Sequence, residues 1–203
     1  MKKIKLSICT ASLFMLMSCV DLNLNPLSEG SSENWYSSQA EIEMSLNDFY
    51  RTDFFPIDDM KWGDDVTARN ETSAVNNGTL TSEDGTIAKR WENYYKGIAR
   101  ALRIINNMDR ARAMGVSEKD IAQYEGEAYF YLGYAYGMLA FHWGDAILDK
   151  VGMSLDEAYT ASRSPKADVL AYSYECLDKA AERLPNSYPG IQRATKGAAY
   201  AFK

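Results

Sequence analysis

Apolar and polar positions along this chain recur with a helical period, interrupted by one long aperiodic stretch. Ser38-Gln39-Ala40-Glu41 has the form of a capping box. Ile42, Leu46 and Phe49 follow it on one face, which predicts a helix over 39–51. Ile87, Trp91, Tyr94, Ile98, Ala101, Ile105 and Met108 recur at alternating spacings of four and three. They predict a long amphipathic helix over 87–112, closed before Gly115. Ser117 as N-cap, Asp120 at N3 and a Val116–Ile121 staple open the next helix. Its stripe of Ile121, Tyr124, Ala128, Tyr131, Ala135 and Met138 runs on to a stop at Gly144. Gly126, Gly133 and Gly137 interrupt that helix, each costing about 1 kcal/mol relative to alanine. Such a run makes sense where a neighbouring helix packs closely.

Ser154 to Glu157 is a second Ser-x-x-Glu box and opens a short helical turn. Ser164 and Pro165 read as N-cap and N1 of a helix with the stripe Leu170, Tyr174, Leu177, Ala181 and Leu184, ended by Pro185. Cys176 lies beside that stripe with Val169, Tyr172 and Ala180, as a small buried hydrophobe would. A last helix is expected over 191–203; it runs out without a cap, so the chain reads as a fragment of a longer protein. Trp91, Tyr94 and Tyr131 are expected in the core, whereas Tyr95, Tyr129 and Tyr134 fall off the main stripes. The pattern as a whole is all-α. Helical hairpins over 87–142 and from 166 onward resemble tetratricopeptide packing, and Leu132-Gly133 with Tyr136 is close to one piece of that repeat.

Residues 52–86 show neither period, and a segment that long is characteristically functional or disordered. Ahead of the helices, Lys2, Lys3 and Lys5 precede an apolar run from Leu6 to Met17, the layout of an export signal. As a helix that run rises about 18 Å, too short for a hydrocarbon core of ~30 Å. Leu16-Met17-Ser18-Cys19 resembles a bacterial lipoprotein box, with Cys19 lipidated and left as the new N-terminus; an ordinary secretory signal is the alternative. Residues 20–36 then read as a polar tether closed by Trp35 and Tyr36.

Removing residues 1–18 takes three lysines and no acid, which lowers the net charge from −6 to −9. An acidic chain without a basic cluster argues against nucleic-acid binding and against anionic lipid surfaces. With Cys9 in the signal and Cys19 acylated, Cys176 is left as a lone thiol with no intramolecular disulfide. His142 is the single histidine, which excludes motifs that need two, and it is placed at the end of the core helix near Trp143. Asp58, Asp59, Asp64 and Asp65 offer the oxygen ligands calcium takes, but without EF-hand spacing. A solvated acidic loop is the reading, and no cofactor is expected. The same carboxylates have no regular element to hold them at the fixed separation glycosidases require, so no enzyme is expected. Sugar recognition instead needs an aromatic plane with fixed polar groups around it. Trp62, with Arg69, Asn70, Asn76 and Asn77, supplies both kinds within 52–86.

The chain resembles the SusD/RagB family of surface lipoproteins. The resemblance is carried by Cys19 with Asp21-Leu22 and Pro26, Trp35-Tyr36, Leu46-Asn47 before Tyr50, and Trp91, Tyr95, Gly97-Ile98, Arg100-Ala101 and Ile104-Ile105. Its strongest block is Glu127-Ala128, Phe130, Tyr136, Leu139 and Trp143-Gly144-Asp145. Asp178-Lys179-Ala180, Leu184-Pro185 and Thr195-Lys196-Gly197-Ala198-Ala199 come after it. Leu132-Gly133, Ala146-Ile147 and Leu102 depart from the family's usual residues at points of packing and loop entry. The resemblance implies a signal peptide over 1–18, a tether over 19–36 and, over 37–203, the N-terminal helical part of a SusD-like domain truncated relative to the longer family. It implies a glycan-binding lipoprotein, lipid-anchored at the outer membrane and exposed on the cell surface, that serves a SusC-like TonB-dependent transporter. The alternatives are a peptide-binding uptake lipoprotein and a helical-repeat scaffold without a small ligand.

Overall fold

One helix organises the described part of the chain. In a computed structural model, which describes residues 35–56 and 74–203, the contacts divide the chain after Trp35, and the unit Tyr36–Lys203 holds all the helices named below. The central helix, α4 (Glu118–His142), packs on α2 (Gly85–Asn106) on one side and on α6 (Lys166–Arg183) on the other. Around this trio lie α1 (Gln39–Asn47), α3 (Met108–Ala113), α5 (Leu155–Thr160) and α7 (Lys196–Phe202). The described residues form no strand, and the fold is the all-α, hairpin-stacked one the pattern predicts. Successive long helices run antiparallel. Trp91 meets Trp143 near one end of the α2–α4 pair, and Gly126 and Gly133 face Leu184 and Leu177 along the α4–α6 pair.

The caps explain most boundaries. Ser38 and Glu41 form the full capping box of α1, whose buried Ile42 and Leu46, together with Phe49, are the residues the period selects. Helical geometry stops at Asn47, not at 51, and passes into a 3-10 turn, Asp48–Tyr50. Tyr36, buried ahead of α1, has φ of 70°, the only positive value at a described non-glycine residue.

The single helix expected over 87–112 is two helices broken at Asn107. Its side-chain amide donates to Arg103 O at 2.7 Å, taking the carbonyl that its own N–H pairs with in a continuing helix. That N–H turns to Ile104 O instead, at 3.1 Å. α3 closes in a Schellman motif, with Val116 N donating to Ala111 O, Gly115 N to Arg112 O, and Gly115 at φ of 89°.

α6 departs from expectation in two ways. It begins one residue late, with Pro165 as N-cap, and the missing side-chain cap comes from Asp145, whose carboxylate accepts from Lys166 N at 2.9 Å. Its buried face is Val169, Tyr172, Ser173, Cys176, Leu177, Ala180 and Ala181; Tyr174, expected inside, is 41% exposed. The reason lies in α4. The Ser173 hydroxyl donates to Gly133 O at 2.6 Å and Leu177 packs on the same glycine, so the Ser173 and Leu177 side of α6 turns inward and Tyr174 turns out. The last helix starts at Lys196, not 191, capped by the Thr195 hydroxyl accepting from Ala198 N at 3.2 Å. Among the described residues no helix is long and apolar enough to cross a membrane.

Candidate functional site

Of the residues proposed from sequence to meet a sugar, Asn76 and Asn77 are described. Both are exposed on a turn in which Gly78 N donates to Val75 O, while Thr79 N and Leu80 N donate to Ala74 O. Gly78, at φ of 64°, completes the Asn-Gly turn. Trp62, Arg69 and Asn70, the aspartates Asp58, Asp59, Asp64 and Asp65, and Cys19 lie outside the described residues.

Where the aperiodic segment begins, an aromatic cleft of about 420 Å³ opens among Tyr50, Phe55, Phe130, Tyr134 and Phe202. Phe55 is its hub, 4.5 Å between centroids from Tyr134, 6.0 Å from Tyr50 and 6.2 Å from Phe130. Gln192, Arg193 and Ala194 close the other wall.

That wall is fastened by a buried carboxylate. Glu127, its side chain 1% exposed, accepts from Arg193 Nη1 and from the Tyr50 hydroxyl, both at 2.8 Å, and from Gln123 Nε2 at 3.3 Å. Arg193 also donates to Asn47 Oδ1, and the Tyr50 oxygen accepts from Ala194 N at 3.0 Å. Burial of its hydroxyl end, with the Glu127 carboxylate beside it, holds Tyr50 well above the usual phenol range, so it remains a donor. Three separate stretches of chain (47–50, 123–127 and 193–194) therefore converge on one charge. The cleft offers ring faces suited to flat apolar groups, while the Arg193 guanidinium is already committed to Glu127 and Asn47.

A second aromatic group lies where α2 meets the end of α4. Trp91, expected in the core, is only half-buried; it touches Tyr95 at 4.9 Å and Trp143 at 5.3 Å, and the Arg163 guanidinium covers it at 4.8 Å. Tyr94 and Tyr131 are buried as expected. Of the tyrosines off the stripes, Tyr134 is buried in the cleft wall and Tyr129 lies under Lys179 and Arg183. His142 ends α4 beside Trp143, at 5.5 Å. Cys176 is buried and free, and desolvation pushes its thiol up to about 12, which suits a packing residue and not a nucleophile. No cluster of metal-ligand type exists among the described residues.

Sequence reasoning missed the cleft. Phe130 and Tyr134, one turn apart and off the main stripe, were its legible signal, whereas Glu127, in a run with Gln123 and Glu125, gave no sign of the clasp. Phe55, Arg193 and Phe202 carried none.

A family model described as starch-binding associating with outer membrane, SusD-like, matches residues 29–203. The chain belongs to the SusD-like family. The SusD-like protein P2 of Formosa agariphila is 24% identical over 222 residues, an alignment that takes in all of this chain and 42% of that protein. A solved SusD superfamily protein of Bacteroides vulgatus is 23% identical with a TM-score of 0.71, covering 83% of this chain and 39% of that one. A solved laminarin-binding SusD-like protein is 18% identical with a TM-score of 0.65, covering 80% and 38%. The chain thus spans less than half the length of each of these relatives. At such identities the solved structures establish the SusD-like helical fold.

Proposed function

We propose that this SusD-like chain is the helical part of a cell-surface lipoprotein that captures a glycan and delivers it to a SusC-like TonB-dependent transporter. The observation that carries the reading is the match of residues 29–203 to a family described as starch-binding and outer-membrane-associated. The relative whose name records laminarin binding supports a glycan ligand. In this reading Trp62 stacks on a sugar ring while Arg69, Asn70, Asn76 and Asn77 address its hydroxyls. The described chain on the near side of that segment ends just past Phe55 in the aromatic cleft, and on the far side it continues into α2. Residues 1–18 direct export, Cys19 carries the lipid, and residues 19–36 tether the helical body. The function is binding, without catalysis.

A glycan array that includes laminarin oligosaccharides, probed with the intact protein, is expected to give saturable binding to one glycan class. Silence on glycans with binding to peptides would replace the glycan by a peptide. Cys19→Ala is expected to abolish incorporation of labelled palmitate and to move the protein from the membrane fraction to the soluble one. Unchanged membrane retention would contradict the lipid anchor.

A further inference from the structure

Whether an asparagine side chain can be attacked by its own backbone depends on the residue that follows it and on the element that holds it. The amide nitrogen of the next residue must reach the side-chain carbonyl carbon, and a glycine there carries no side chain to block the approach. Asn77-Gly78 is the single Asn-Gly pair of the sequence. It lies outside the helices, in the turn ahead of α2, where residues 76–80 are all exposed. A Cβ placed at Gly78 would meet nothing within 4 Å, so the space around the reacting atoms is open.

The other described asparagines are held away from this chemistry. Asn93 lies within α2, whose helical backbone keeps the following nitrogen from the side chain. Asn106, at the end of that helix, donates to Val151 O at 2.8 Å. Asn107 is engaged with Arg103 O at 2.7 Å, and Asn47 Oδ1 with Arg193. Asn76 precedes Asn77 and the exposed Asn186 precedes Ser187, so in each a side chain flanks the attacking nitrogen. What holds Gly78 N is one bond, to Val75 O at 3.1 Å, in an exposed turn. Surface turns open locally at little free-energy cost, so that bond delays the attack without preventing it.

We propose that the Asn77-Gly78 turn is a self-modification site, at which Asn77 is converted to aspartate and isoaspartate. The Gly78 nitrogen gives its proton to solvent and attacks Asn77 Cγ. As the N–Cγ bond forms, the Cγ–Nδ2 bond breaks, and Nδ2 takes a proton from solvent and leaves as ammonia. A cyclic imide remains. Water then opens the ring at either carbonyl: opening at Cγ gives aspartate, and opening at the main-chain carbonyl routes the backbone through Cβ and Cγ as isoaspartate. Nothing is oxidised or reduced, and water is the one co-reactant. An amide that donates becomes a carboxylate that only accepts. On the proposed glycan reading this change falls on a group that addresses sugar hydroxyls, while the conversion itself requires only the turn.

The intact folded protein is aged at mildly alkaline pH, sampled over time and digested with trypsin. Peptides 70–89 and 184–193, which bear Asn77 and Asn186, are then followed by mass, with fragmentation to place the change. Asn77 is expected to lose its amide at least about tenfold faster than Asn186, because glycine leaves the attacking nitrogen unshielded. Both aspartate and isoaspartate should appear at Asn77, and isoelectric focusing of the intact protein should show the gain of a negative charge. Asn77→Gln, which sets the amide one carbon farther from the nitrogen, is expected to abolish that charge shift. Conversion at Asn77 no faster than at Asn186, or a charge shift that survives in Asn77→Gln, would overturn the assignment. Conversion of Asn77 only after unfolding in denaturant would overturn it as well, since the folded turn would then shield the site.

Discussion

Glu127→Ala is expected to lower the stability of the domain by about 3–5 kcal/mol, because it strands a buried guanidinium and removes the acceptor for two further donors. For a domain of this size that is roughly 10 °C in melting temperature. The energy is not the attraction of the pair itself. Desolvating both ions offsets most of that attraction, so the large effect belongs to the unpaired Arg193, 12% exposed at its side chain, and to the orphaned Tyr50 hydroxyl. The double variant Glu127→Met/Arg193→Met should therefore recover most of the loss, and a thermal melt of the three proteins checks it. A double variant as unstable as Glu127→Ala would show that the clasp acts through packing and not through charge. The loop over 185–195 should become protease-sensitive in Glu127→Ala, since Arg193 and the Ala194 N–H bond fasten it to the body.

The second large effect concerns the glycines of α4, which differ in what they face. A Cβ at Gly133 would lie 2.5 Å from Leu177 Cγ and 3.1 Å from the Ser173 carbonyl, whereas one at Gly137 meets only Phe202 Cε1 and Ser173 Oγ, both at 3.3 Å. Alanine gains about 1 kcal/mol in helix propensity at either site. Overpacking against the Leu177 branch and the α6 backbone costs about 1–3 kcal/mol or more, so Gly133→Ala is expected to be net destabilising. It also loosens the 2.6 Å bond from Ser173 to Gly133 O. At Gly137 the neighbours are side-chain tips that can move by a few tenths of an ångström, so Gly137→Ala should be neutral or slightly stabilising. Chemical denaturation of the pair measures the difference directly, and equal effects at both positions would contradict the close helix approach.

Much of this fold was legible because its signals are local. The Ser38–Glu41 and Ser154–Glu157 boxes, the Ser117 cap and the stops at Gly115 and Gly144 each act within a few residues, and each is found where the pattern places it. The failures arise where a distant or competing group decides. Asn107 breaks the second helix with its own side chain, Asp145 caps α6 from 21 residues away, and Gly133 selects which face of α6 turns inward. None of these leaves a periodic trace. Beyond the Phe130 and Tyr134 pair the aromatic cleft left no trace for the same reason, because Tyr50, Phe55 and Arg193 reach it only once Glu127 draws three stretches of chain together.

The proposed capture of a glycan depends on Trp62 as its stacking plane. Its most direct test is isothermal titration of the intact protein and of Trp62→Ala with the glycan class found on the array, alongside their melting temperatures. Loss of a stacking platform worth about 1.5 kcal/mol should weaken binding about tenfold with the melting temperature unchanged. Unchanged affinity with a lowered melting temperature would make Trp62 a packing residue and contradict the claim.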